Sequence, residues 1–250
     1  EWARQRRLMQ PAFAPHRIHS YGDLIVRHTQ ELFHACEARK VNVADLLHEL
    51  TFRSIAESLF GAQVDKIAGE FLEAVATLQK ESIDDFTSLW ISPLWWPTAS
   101  RRRLRRAIRF LDKVVRQFIA QRRASGEDKG DLLSMLVLAV DEEGGTGRMT
   151  DEQVRDESVG LLLGGNETTA TALVWTFYLL AKNEAFQEET QNEIDHITGG
   201  ATPSAKHAES LVLTTANMKE AMRLFPPAYV LTREAHEKVE IAGYEIPSGS

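Results

Sequence analysis

Gly164-Gly165-Asn166-Glu167-Thr168-Thr169 sets two glycines, an amide, a carboxylate and two hydroxyls in the middle of a long apolar stretch. A carboxylate next to a hydroxyl is a proton-handling pair, and adjacent glycines let a flat group come close to a helix backbone. The same residues are poor material for a buried helix. Each glycine costs about 1 kcal/mol relative to alanine, and threonine hydroxyls compete for the carbonyl four residues back. Residues that break local rules together point to a site. Two other readings fit the segment. Val159 to Ala181 is long enough to span a bilayer, and Gly160 and Gly164 match a GxxxG packing motif, although Glu167, Asn166 and the threonines make insertion costly. The remaining reading is a buried helix whose small residues only allow close packing.

The elements that must position these residues are well signalled. Thr150 and Gln153 make a capping-box pattern, and Asp151 and Glu152 favour the positive end of the helix dipole. Apolar residues recur through Val154, Leu161, Leu162 and Leu163 and on through Leu173, Val174, Phe177 and Leu180, closing at Lys182-Asn183. The pattern predicts one central helix on the order of 45 Å long. Amphipathic helices are expected over Tyr21 to Lys40, Asp45 to Gly61 and Asp65 to Asp84. A Trp/Pro loop (Trp90, Pro93, Trp95, Trp96, Pro97) precedes a helix from Ser100 to Ser125, with a stripe of Leu104, Ile108, Leu111, Val115 and Phe118. Asp131 to Val140 is short and apolar, and Glu142 to Arg148 is a Gly-rich turn. A polar helix follows over Glu184 to Ile197, and another ends at Phe225-Pro226-Pro227. The tail alternates around Gly243 from Val239 to Ile246 like a hairpin. Residues 1–250 read as one mainly α domain with a small sheet near the C-terminal end.

With 43% hydrophobic and 26% charged residues, the chain has an ordinary globular composition. A net charge of −7 argues against a nucleic-acid-binding protein. The single cysteine, Cys36, excludes an internal disulfide and CxxC zinc sites. Glu1 opens directly into a helical pattern, so no secretory leader is expected within the chain.

A second signal lies in Lys219-Glu220-Ala-Met-Arg223-Leu-Phe-Pro226-Pro227. Glu220 and Arg223 are three apart on one helix face and can pair. Alone, such a pair is a surface contact worth a few tenths of a kcal/mol. Here a double proline and Arg233 follow it, and Trp2 and Arg6 stand near the start with a spacing of four.

Taken together, these residues resemble the cytochrome P450 family across essentially the whole chain. The family's oxygen-activating helix carries Ala/Gly-Gly-x-Asp/Glu-Thr-Thr/Ser, which Gly164 to Thr169 match at every position. Glu220 and Arg223 match its ExxR helix, Arg233 its arginine after the double proline, and Trp2 and Arg6 its WxxxR helix. The resemblance implies a P450-like helical fold, truncated here at both ends, that holds haem b. Trp2, Arg6 and Arg233 would be donors to the haem propionates, since an indole N–H and a guanidinium fork suit carboxylates. Gly164 and Gly165 would admit the haem face, and Thr168 with Glu167 would relay protons to dioxygen. Glu220 and Arg223 would form a structural charge network. The activity implied for the intact protein is monooxygenation of an apolar small molecule by O2. NAD(P)H electrons would arrive through a ferredoxin or flavoprotein reductase.

One departure matters. The family's axial ligand is a cysteine thiolate in a Phe/Gly-rich loop, and these 250 residues contain no such loop. Cys36, in His34-Ala-Cys36-Glu37 on an early amphipathic helix, is expected to pack rather than to ligate, so no metal ligand is assigned and the chain as it stands is expected not to form a thiolate-ligated centre. The alternatives are a non-catalytic helical binding or scaffold domain, and a di-iron bundle using the ExxH pairs Glu31/His34 and Glu193/His196. His196 is expected to face water. The run Arg101-Arg102-Arg103-Leu104-Arg105-Arg106 is expected to be a solvated helix face near the family's substrate entrance. Beside Trp90, Trp95 and Trp96 it could touch an anionic membrane, but a cytoplasmic protein is favoured over a peripheral membrane one.

Overall fold

A computed structural model describes residues 2–36, 40–61, 68–88, 91–141 and 147–250, with the side chains of residues 2, 12, 15–17, 35, 68, 140 and 141 outside the described set. Helix α1 (Trp2–Met9) passes through a 3-10 turn (Gln10–Phe13) into α2 (Pro15–Ser20) and α3 (Gly22–Cys36). Asn42 caps α4 (Val43–Phe60), its side-chain oxygen accepting from the Ala44 amide at 3.0 Å. A buried histidine clasps α3 to α4: His28 Nε2 lies 2.7 Å from Glu57 Oε2, while Arg27 Nη2 donates to Glu57 Oε1 at 2.6 Å. Helix α5 (Ala68–Thr87) packs against α6 (Ala99–Ser125), which runs from a Thr98 cap to Gly126 in the left-handed conformation at φ 63°.

The inward stripe of α6 is Leu104, Ala107, Leu111, Val114, Val115 and Ile119. Ile108, expected on that stripe, is instead exposed, and Phe118 is partly buried. Asp131 caps α7 (Leu132–Leu138) and also forms a buried bidentate ion pair with Arg122, joined by Ser134. Strands β1 (Val140–Asp141) and β2 (Gly147–Arg148) pair antiparallel across the expected Gly-rich turn, of which residues 142–146 lie outside the described set.

Helix α8 (Asp151–Lys182) is continuous over 32 residues, about 48 Å. Its capping box is complete: the Gln153 amide donates to Thr150 Oγ1 at 3.2 Å and the Thr150 amide to Gln153 Oε1 at 3.0 Å. Helices α4, α6, α7, α9 (Glu184–Thr198) and α10 (Val212–Leu224) all contact it. Phe52 and Phe60 of α4, Phe71 of α5, Val115 of α6, Leu133 of α7 and Leu162 of α8 meet in one apolar core. Phe60 stacks on Phe118 with ring centroids 5.1 Å apart.

The expected tail hairpin is β3 (Val239–Ile241) against β4 (Tyr244–Ile246), in register Val239↔Ile246 and Ile241↔Tyr244. Its two-residue turn has Ala242 at φ 52° and Gly243 at φ 83°, the left-handed pair such a turn requires. The helices fall where the sequence pattern put them, shifted at their ends: α4 starts two residues earlier, and α5 ends at Thr87 instead of Asp84. No helix among the described residues is long and apolar enough to cross a membrane.

Candidate functional site

Successive residues of a helix turn about 100°, so the six-residue motif on α8 presents a different neighbour at each position. Gly164 is exposed, and no atom lies within 4 Å of where a Cβ would sit. Gly165 is in close contact with α4: a Cβ there would come within 2.9 Å of Ile55 Cγ1. Asn166 is buried, its side-chain oxygen 2.8 Å from the Thr51 hydroxyl of α4. Glu167 is half-exposed, with Oε2 3.6 Å from His48 Nδ1. Thr168 is exposed, and its hydroxyl donates to the Gly164 carbonyl at 2.6 Å. That bond satisfies the hydroxyl within the helix and tilts one carbonyl toward it. The two glycines therefore leave the helix unbroken.

Two hollows flank α8 at this level. On the Gly165 and Thr169 side, a cavity of about 320 Å³ is walled by Phe13, Ile25, Ile55 and Leu173. On the Asn166 and Glu167 side, a polar hollow of about 610 Å³ includes His48, Glu49, Lys80 and Asp84. Glu167 therefore meets solvent on one flank, while Gly164 and Thr168 share the uncovered face.

Helix α1 borders the N-terminal half of α8, where Arg6 and Glu157 line one cleft of about 410 Å³. Burial, helped by the neighbouring Asp156 charge, pushes the Glu157 carboxyl above its ordinary value. The Trp2 side chain lies outside the described set. Helix α10 packs on the C-terminal half of α8, and Trp175 stacks flat on Phe225 with centroids 3.9 Å apart. Glu220 and Arg223 form a bidentate pair at 2.8 and 2.6 Å on an exposed face. Hydrogen bonds from the Arg223 guanidinium, and then its charge, hold the Glu220 carboxyl below the usual range. Arg233 is exposed, and its Nη1 donates to the Thr232 carbonyl at 2.7 Å. The site residues thus sit on α1, α8 and α10, together with the segment that follows α10.

Other assignments change. Glu193 accepts from the Leu213 amide at 2.6 Å, the Thr214 amide at 2.8 Å and the Thr214 hydroxyl at 2.7 Å, so it caps α10. Burial alone would raise the Glu193 carboxyl, but these donors and the Val212 amide bring it below its ordinary value. A carboxylate so engaged is not available as a di-iron ligand, and its partner His196 is exposed. Among the described residues no group of three or more His, Cys, Asp or Glu side chains converges to hold a metal. Cys36, partly buried, lines an apolar groove with Phe33, Leu47 and Phe177. Arg101 is not a solvated face residue: it is buried, bidentate to Asp85, and donates through Nε to Ser92 at 2.8 Å. His48 and Thr51, which touch the motif from α4, carry no signal in the sequence, because Thr51 stands 115 residues from Asn166.

The fold is a mainly helical domain crossed by one long helix, with the six-residue motif at the mid-length of that helix. The cytochrome P450 family model matches residues 1–250, and the chain belongs to that family. It is 35% identical over its whole length to cyclooctatin synthase of Streptomyces melanosporofaciens. It is 32% identical over 98% of its length to that organism's cyclooctat-9-en-7-ol 5-monooxygenase. The heme domain of a cytochrome P450DA mutant superposes on all of the chain with a TM-score of 0.86 at 26% identity. The chain spans about half the length of the curated relatives it matches, 56% and 54% of these two.

Proposed function

We propose that the intact protein is a haem-dependent monooxygenase that inserts one oxygen atom of O2 into an apolar small molecule while the other leaves as water. The observation that carries this reading is the face of α8 on which Gly164 is open and Thr168 closes onto the Gly164 carbonyl. A flat macrocycle fits such a face, because neither a Cβ nor a neighbouring side chain stands in the way. Arg6, Trp2 and Arg233 are the donors suited to its propionates. Haem, when bound, supplies the iron at which dioxygen is reduced.

The chain's own residues then do three things. Gly164 keeps the backbone accessible. Glu167, in contact with solvent through the hollow it shares with His48, takes up protons. Thr168, one residue on, holds a proton on Oγ1 against the Gly164 carbonyl and passes it toward the open face. Electrons derived from NAD(P)H would come from a ferredoxin or flavoprotein reductase, and a cytoplasmic location fits this supply. The relative named for cyclooctat-9-en-7-ol supports an apolar, cyclic substrate of similar kind.

The test uses the intact protein. Thr168→Ala should keep the haem absorbance and substrate affinity while diverting most of the consumed NAD(P)H to free hydrogen peroxide, with product falling about 10²–10⁴-fold, the size of a lost proton-transfer step. An intact protein that binds no haem, or a Thr168→Ala variant that keeps product and NAD(P)H in step, defeats the proposal.

A further inference from the structure

The polar hollow beside Glu167 is walled by α4, α5 and α8, and its titratable groups are not equivalent. Asp45, His48 and Glu49 come from α4, where Glu49 is taken up by an ion pair with Arg53 one turn on. Lys80 and Asp84 come from α5, and Glu167 from α8. A lysine ammonium keeps its charge at neutral pH, and a carboxylate loses its own in acid. An imidazole is the side chain that changes charge between about pH 5 and 8.

His48 is placed to use that property on Glu167. Its Nδ1 lies 3.6 Å from Glu167 Oε2, and among the described residues no other cation comes within 4.0 Å of that carboxylate. The two side chains touch without a hydrogen bond, so a small rotation of either makes or releases one. Both reach solvent, His48 being 33% exposed and Glu167 43%. The register that brings them together is fixed one turn along α4, where Thr51 bonds to the buried Asn166 at 2.8 Å. Gln79 of α5 lines the same hollow, and its Nε2 is buried with no hydrogen-bond partner among the described residues. A buried donor in a polar hollow of about 610 Å³ is satisfied by water, at about 30 Å³ per molecule.

We propose that His48 is a positioning residue for the α8 pair: its imidazole holds Glu167 at the mouth of the hollow and hands it the proton that Thr168 then presents. The role rests on the monooxygenase reading, which gives Glu167 the uptake of protons. In the transfer the Nδ1–H bond of the imidazolium breaks and an Oε2–H bond forms, so cation and carboxylate are neutralised together. The ring regains its proton from water in the hollow, which Gln79 anchors. At a pH where the imidazole is neutral it has no proton to give, and delivery falls.

Two measurements test the proposal, the first without haem. In the 250-residue chain, a urea-denaturation cycle of His48→Gln and Glu167→Gln should show favourable coupling at about pH 6 that is lost at about pH 8. A merely steric contact would couple equally at both. In the intact protein, product formed per NAD(P)H should fall between the same two pH values. His48→Gln should bring the yield at the lower pH down to that at the higher and abolish the step, with haem absorbance and substrate affinity kept. Gln79→Leu, which removes the water anchor, should lower the yield at both. Positions 48 and 79 are partly exposed, so circular dichroism should report an intact fold. A cycle with the same coupling at both pH values overturns the role of His48, as does a His48→Gln or Gln79→Leu variant with the wild-type profile, and each leaves the monooxygenase reading standing. A Thr168→Ala variant that keeps product and NAD(P)H in step removes that reading and this role with it.

Discussion

Gly164 and Gly165 are neighbours with opposite surroundings, so the same substitution should have opposite signs at the two positions. Alanine in place of a mid-helix glycine gains about 1 kcal/mol of propensity. At position 164 nothing opposes the gain, since no atom lies within 4 Å of the new Cβ. At position 165 the Cβ would stand 2.9 Å from Ile55 Cγ1 and 3.0 Å from Ile55 Cδ1. Ile55 is β-branched and stiff at χ1, so it cannot swing aside freely, and overpacking of this kind costs about 1–3 kcal/mol. Gly164→Ala should therefore stabilise the chain by about 1 kcal/mol, a rise of roughly 2–4 °C in Tm. Gly165→Ala should lie between neutral and about 2 kcal/mol destabilised. Urea denaturation of both variants gives the comparison. Ile55→Ala should cost less in the Gly165→Ala background than in the wild type, because it removes the clash. If the two alanine variants are equally stable, or if Ile55→Ala shows no coupling to Gly165→Ala, the assigned contacts are wrong.

Two further outcomes follow from contacts away from that face. Thr51→Val keeps the shape of the side chain but leaves the buried Asn166 amide without its partner, and should destabilise the chain by about 1–3 kcal/mol in urea denaturation. Glu193 has a lowered carboxyl pKa in the folded chain, so its stabilisation is present above the unfolded value of about 4.3 and is lost as pH falls through the lowered folded value. Glu193→Gln should flatten the acid limb of the stability–pH curve and speed amide exchange at Leu213 and Thr214; an unchanged curve would show that the cap does not form.

Local signals were readable in the sequence because their partners are close along the chain. The capping box needs only Thr150 and Gln153, and the hairpin needs only Gly243 between two alternating runs. Glu220 and Arg223 pair three residues apart for the same reason. What the sequence withheld depends on how helices dock. Thr51 reaches Asn166, His48 reaches Glu167 and Glu193 reaches α10 only because α4, α8 and α9 lie where the core places them. Arg101 shows how composition misleads in such cases. In a run of five arginines it looked solvated, yet the docking of α5 against α6 buries it on Asp85.

The motif itself changes meaning once its faces are separated. Six consecutive residues turning about 100° each cannot serve one group together. Gly165 meets Ile55, so its match to the family pattern is also a contact between α8 and α4, and Asn166, at the position the pattern leaves open, pairs with Thr51 of α4. Thr169 borders the apolar cavity. Only Gly164 and Thr168, four apart, share the open face, and Glu167 lies at its edge with access to the polar hollow. The proposed proton handling therefore rests on two side chains, arranged so that one meets solvent and the other the uncovered surface. Of the remaining polar residues of the motif, Asn166 ties the helix to α4.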